Sequence, residues 1–216
     1  YENRLKIIEY INLYMGIPSY YSYIIKNYNR LLINLKKFEQ NVDNFYLDSN
    51  SIIYDCLNNN KNINEDDLIK ETCLKIDEYI KLVNPKKVVY ICFDGIAPVA
   101  KLKQQKERRY KSKFMETLLE EMYEDYDMEI KEKNTFDKTC ITPGTNFMKK
   151  LDKKIKDFFR DRDKIYGTCR IIVSGSEERG EGEHKIFQKI RDNKNKEKHI
   201  IYGLDADLII LCLNHL

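Results

Sequence analysis

Glycine and proline are scarce in this 216-residue chain, at 8 and 4 residues. So little of either excludes a collagen-like, mucin-like or fully disordered polypeptide, and 42% apolar beside 34% charged residues suit a globular core. An excess of one charge is also absent: 38 basic and 35 acidic residues leave +3. A grip on a polyanion must therefore come from local clustering. No apolar run is longer than the 6 residues of Val88–Phe93 and Leu208–Leu213, against the roughly 20 that a spanning helix needs. No signal-peptide pattern opens the sequence. The six cysteines (56, 73, 92, 140, 169, 212) contain no C-x-x-C pair, which removes the close ligand pairs of a structural zinc site. These absences lead us to expect a soluble protein with reduced thiols in a cytosol-like compartment, long enough for one to two domains.

Four short apolar segments read as strands, each ending in or near an acid. They are Phe45–Leu47 before Asp48, Val88–Phe93 before Asp94, Arg170–Val173 before the loop with Glu181 and Glu183, and His199–Tyr202 before Asp205 and Asp207. Between them lie stretches of helical apolar spacing, such as Leu68–Leu82 and Phe147–Phe159. Strands apolar on both faces and separated by helices predict an α/β fold with a central, mostly parallel sheet flanked by helices. In such folds ligands collect at the carboxyl ends of the strands, where these acids stand. Residues 1–14 have the spacing of a short amphipathic helix, and Asn58–Asn64 and Asp192–Lys198 read as polar loops.

Taken together, Asp48, Asp94, Glu181, Glu183, Asp205 and Asp207 form a candidate metal site. Six carboxylates in one cleft repel one another unless cations are bound, and oxygen-only ligands suit Mg²⁺ or Mn²⁺. Two such ions about 3.5–4 Å apart can activate a water and stabilise the leaving oxygen of a phosphodiester. Asp205 and Asp207, two apart, point the same way if the strand end is extended. Gly180 and Gly182 flank Glu181 and allow close approach. Each acid alone has an ordinary alternative as a helix N-cap or turn residue; their recurrence at four strand ends favours the joint site.

Lys101–Lys113 carries 7 basic residues and one acid, whereas Glu116–Glu132 carries 8 acids and one base. If Ala100–Lys113 is helical, Lys101, Gln105, Arg108 and Arg109 share a face about 100° wide. Such a face, close to Asp94 in sequence, can grip phosphate; a solvated basic helix is the alternative. The acidic block reads as a solvated helical excursion.

Several runs make the chain resemble the N-terminal catalytic region of the XRN 5′→3′ exoribonucleases. They are MGIPSYYSYI (15–24), NFYLDSNSIIYDC (44–56), ICFDGIAPVAKLKQQKERRY (91–110), FDKTCITPGTNFM (136–148), SGSEERGEGEHKI (174–186) and IYGLDADLIIL (201–211). The resemblance implies a PIN- or flap-nuclease-like fold and a magnesium-dependent enzyme that digests RNA processively from a 5′-monophosphate end. It makes the six acids metal ligands for two ions and makes Lys101, Gln105, Arg108 and Arg109 the 5′-phosphate pocket. Tyr54 stands where the family carries a stacking histidine, and its ring can still stack on a terminal base or serve as a core tyrosine. Arg179 replaces a common proline, which predicts a looser loop. His184 and Lys185 fit GEGEHK, in support of the site or in packing.

Residues 1–14 are then an extension of unknown role before a nuclease domain over 15–216, with a charged helical excursion at about 111–135. The family's catalytic region continues past the last residue here, to a further metal-binding aspartate. A structure-specific flap endonuclease and a catalytically silent RNA 5′-end-binding module are the alternatives. The expected partner is single-stranded RNA rather than a membrane. The expected location is intracellular and cytoplasmic, with the nucleus or a viral factory as alternatives.

Overall fold

Segments rich in β-branched and aromatic residues build the sheet: β1 (Asn44–Asp48), β2 (Val88–Cys92), β3 (Arg170–Ser174) and β4 (His199–Tyr202). All pair in parallel, in the order β3-β2-β1-β4. The computed structural model describes residues 19–35, 41–60, 62–125, 136–160, 162, 165–167, 169–193 and 195–215. Within 99–125 it leaves out the side chains at 100, 104, 108, 109, 116, 120, 124 and 125. The amphipathic segment expected at 1–14 lies outside the described residues.

Register decides where the acids emerge. Asp48 pairs with Cys92, and Cys92 with Ser174, while Leu47 pairs with Tyr202. The four carboxyl ends are thus level to within a residue, and whatever follows each strand leaves from one edge. The chain steps outward from β1 to β2 and β3, then returns to β4 on the other side of β1. Direction reverses between β1 and β4, where an open α/β sheet places its ligand crevice.

Helices cover both faces, as two-sided apolar strands require. On one face Phe45, Leu47, Val89, Ile91 and Phe93 pack with α2 (Asn50–Asn59), α3 (Glu65–Val83) and α5 (Asn146–Phe159). On the other, Tyr46 and Cys92 meet Ile186 of α6 (Gly182–Asp192). The helix starts are capped locally. Asn64 accepts the Asp67 amide at 2.9 Å before α3, and Thr145 accepts the Met148 amide at 3.3 Å before α5. Helix α1 (Tyr20–Asn27) buries no residue, and α7 (Asp207–Leu213) follows β4.

The long helix α4 (Val99–Asp125) carries the basic segment and runs on into the acidic block without a break. No glycine or proline interrupts it. The excursion expected at about 111–135 is, through Asp125, the continuation of this helix; 126–135 lie outside the described residues.

At the opposite edge, Glu197 ties the start of β4 to its neighbours. Its carboxylate accepts from Lys87 Nζ at 2.8 Å and from the side-chain amides of Asn44 and Asn193, each at 2.6 Å. The Lys87 bond, then the two amides, draw the carboxyl down to about 2. Glu197→Gln sets an amide donor against these donors and is expected to cost about 1 kcal/mol near neutral pH in urea denaturation. Because the folded value lies below the unfolded one, this contribution is present above about 4.3 and fades as pH falls through about 2. A gap between variant and parent that persists unchanged into that acid range would show that the charge is not its source.

Candidate active site

Of the acids predicted at the strand ends, Asp48, Asp94, Glu181, Glu183 and Asp205 meet at one edge of the sheet. Asp48 closes β1, and Asp94 follows β2 by two residues. Asp94 is held as an acceptor on both oxygens: Oδ1 takes the Gly182 amide at 2.8 Å and Oδ2 the Asn50 side-chain amide at 2.8 Å. Asn50 also accepts the Asp94 amide at 3.1 Å, which fixes which way its own amide faces. Glu181 is buried immediately before α6, and Glu183 sits in that helix's first turn. Gly182, between them, lies so close to β1 that a Cβ there would stand 2.5 Å from Asp48 Oδ1.

Asp205 reaches this edge, with Asp207 at the start of the following helix, by a different route from the one their spacing predicted. The backbone leaves the extended conformation after Tyr202, so the period of two does not apply. Asp207 opens α7, and its amide donates to Asp205 Oδ1 at 3.1 Å, so Asp205 caps the turn in part. Asp205 faces Asp48 and Glu183 closely enough to raise both carboxyls.

The electrostatics are those of crowded negative charge that is only partly compensated. Burial, then repulsion from Asp94, Glu183 and Asp205, pushes the Asp48 carboxyl up to about 7. Burial also raises Asp94 and Glu183, although the Gly182 amide opposes the first shift and Lys101 the second. Asp48 Oδ1 is buried and, among the described residues, accepts no hydrogen bond. Glu181, Glu183 and His184 bring one ligand atom each within 4.8 Å of one another. An orphaned oxygen and several carboxylates fit a hard divalent cation.

An ammonium stands directly against Glu181. Lys101, in the first turn of α4, forms an ion pair with Glu181 and lies 3.8 Å from Glu183. Burial works to lower its pKa, and its bonds and attraction to the acids outweigh that and leave it raised. Gln105, one turn on, lines a cleft of about 320 Å³ with Gly95, Ile96, Lys106, Tyr110 and Pro143. The helix at Lys101–Lys113 is as expected, while the side chains of Arg108 and Arg109 fall outside the described residues. Tyr54 is exposed on α2, the helix that follows Asp48.

Residues 15–216 match the family model for the XRN 5′-3′ exonuclease N-terminus. The chain belongs to this family. It is 39% identical to the 5′-3′ exoribonuclease 1 of Saccharomyces cerevisiae over 93% of its own length and 14% of that protein's. It is 36% identical to the human 5′-3′ exoribonuclease 1, over 92% of this chain and 12% of the relative. It is 34% identical to the 5′-3′ exoribonuclease 2 of Schizosaccharomyces pombe, over 79% and 20%. The chain therefore spans at most about a fifth of these three relatives.

Within this XRN N-terminal fold, the loop with Arg179 in place of proline is firmly tied. Gly180 donates to the Ile96 carbonyl at 3.2 Å, and its own carbonyl accepts the Gly95 amide at 2.9 Å. A side chain at Gly95 would collide with the Glu178 carbonyl. These bonds bring the loop that carries Glu181 against the residues after Asp94. The sequence reading missed Asn50, whose amide orients Asp94, and the pairing of Lys101 with Glu181. Neither has a local signal, since both partners are more than 40 positions away. Among the described residues no helix is long and apolar enough to cross a membrane.

Proposed function

We propose that this chain forms the catalytic pole of a 5′→3′ exoribonuclease that releases nucleoside 5′-monophosphates from RNA with a 5′-monophosphate end. The observation that carries the reading is the convergence of carboxylates around the orphaned Asp48 Oδ1, next to Lys101 of α4. Asp48, Asp94, Glu181, Glu183, Asp205 and Asp207 would hold two Mg²⁺ or Mn²⁺ ions. Bound there, such ions supply activation of water and charge stabilisation of the departing 3′-oxygen.

The chain's own residues do the rest. Asn50 and the Gly182 amide hold Asp94 in one orientation, so its oxygens are set before RNA arrives. Lys101 lies between the acids and α4, where its ammonium can turn to a terminal phosphate. Gln105, Arg108 and Arg109 would complete that grip, the arginines by paired hydrogen bonds. A phosphate held at a fixed distance from the acids decides which phosphodiester is cut, and so gives 5′-to-3′ polarity. Tyr54 would stack on the terminal base.

The test is mononucleotide release from 5′-monophosphorylated RNA by the full-length protein. Release is expected to stop with EDTA and to slow at least ~10-fold on 5′-hydroxyl RNA, the loss of a charge-assisted grip. Equal digestion of both ends would remove the phosphate pocket. Cleavage confined to branched DNA would replace the reading with a flap endonuclease, and binding without cleavage in Mg²⁺ with a silent end-binding module.

A further inference from the structure

Two buried charged side chains outside the acidic pole hold a single turn of backbone between them. After β3 the chain turns at Gly175–Ser176 and runs on to Glu181 and Glu183. Lys185, buried on α6, donates from Nζ to the Gly175 carbonyl at 2.8 Å and to the Phe93 carbonyl at 2.9 Å. Phe93 is the residue before Asp94. Asp152, buried on α5, reaches the turn through the next residue, its Oδ2 accepting the Ser176 amide at 2.8 Å and the Ser176 hydroxyl at 2.7 Å. A Cβ at position 175 would stand 2.7 Å from the Asp152 carboxyl carbon, so the close approach depends on glycine.

Neither charge is there for stability alone. Both side chains are buried, and among the described residues nothing donates to Asp152 Oδ1. Apolar side chains of similar volume would fill the same space without that desolvation penalty. What the pair supplies instead is direction: each hydrogen bond fixes one backbone group of the turn in space.

We infer that Lys185 and Asp152 are positioning residues that clamp the Gly175–Ser176 turn to the backbone beside Asp94, setting the distance across which Glu181 and Glu183 face that aspartate. Lys185 lies two residues beyond Glu183 on the same helix, so one ammonium joins the end of β2, the turn after β3 and α6. The inference rests on the nuclease reading of the acidic pole, and its test separates the two.

Lys185→Met keeps the stem and deletes the ammonium; Asp152→Leu keeps the volume and deletes the acceptors. In the full-length protein three quantities are read: amide hydrogen exchange over 175–183, Mn²⁺ affinity by electron paramagnetic resonance without RNA, and digestion of 5′-monophosphorylated RNA. Each variant is expected to speed exchange at Ser176, weaken Mn²⁺ binding several-fold and lower kcat by about 10- to 100-fold, the scale of an ångström misplacement. KM for RNA stays within about twofold, because the basic face of α4 is untouched. The double variant is no worse than the worse single one, since both act on one turn.

A folded Lys185→Met protein with parental Mn²⁺ affinity and kcat overturns the clamp, and so does a rise in KM with kcat unchanged. If Lys185→Met does not fold, Ser176→Ala, which removes one hydroxyl from the grip, decides by the same split between kcat and KM. A parent that neither binds Mn²⁺ nor digests RNA overturns the nuclease reading instead, and unaltered exchange at Ser176 in the variants then overturns the clamp by itself.

Discussion

Without divalent cations at about pH 8, Asp48→Asn is expected to unfold at a higher temperature than the parent, yet to release mononucleotides from RNA at least ~100-fold more slowly. The two effects share one cause. Burial, followed by repulsion from Asp94, Glu183 and Asp205, raises the Asp48 carboxyl to about 7, against an ordinary value near 3.9. A folded value above the unfolded one means that stability is fully present below about 4 and lost as pH rises through about 7. Above that window the folded protein carries a penalty on the order of a few kcal/mol, which asparagine does not.

The melting gap should therefore open between about pH 4 and 7 and close below about 4. Asp94 and Glu183 are raised in the same direction, so they too weaken the cation-free parent as pH rises. Millimolar Mg²⁺ should stabilise the parent more than the variant, because the variant has lost an anionic ligand. A parent that melts above Asp48→Asn at about pH 8 without cations would mean that Asp48 is not a strained anion. Undiminished RNA digestion would remove Asp48 from the site.

The sheet was legible because burial on both faces forces runs such as VVYICF, whose ends can be read to within a residue or two. α3 and α5 were legible for a related reason: one apolar stripe repeats at helical spacing. The site was legible only as a list of acids at strand ends. What joins them is made of contacts between distant positions, and sequence spacing along one element says nothing of the neighbour across the gap. Lys101 illustrates this: its helical face was readable, its pairing with Glu181 was not. The spacing of Asp205 and Asp207 misled in another way: a period of two holds only in an extended strand, and the backbone has already turned into α7 at Asp207. Asp152 did leave a signal. It falls four residues after Met148, on the stripe of Leu151, Ile155 and Phe159, and an acid on an apolar stripe is either capped by a specific partner or expensive.

Gly182→Ala tests the geometry without removing any charged or hydrogen-bonding group. The added Cβ would stand 2.5 Å from Asp48 Oδ1 and 3.6 Å from Asp94 Oδ1. Its main obstacle is a side-chain oxygen, not backbone, to which nothing among the described residues donates, so the carboxylate can shift. Alanine also suits the first turn of a helix at least as well as glycine. Melting should therefore shift by no more than a few degrees. Displacing Asp48 by about an ångström should nonetheless lower kcat about 100-fold and weaken Mn²⁺ binding, with KM for RNA unchanged. Gly95→Ala gives the contrast: there the Cβ meets the Glu178 carbonyl, which is backbone and cannot step aside, so the fold itself should suffer. If Gly182→Ala retained both parental kcat and parental Mn²⁺ affinity, the position of Asp48 beside α6 would not matter to the chemistry. A stable protein that binds RNA and fails to cut it would instead place the function in the spacing of these carboxylates, set here by the absence of one methyl group.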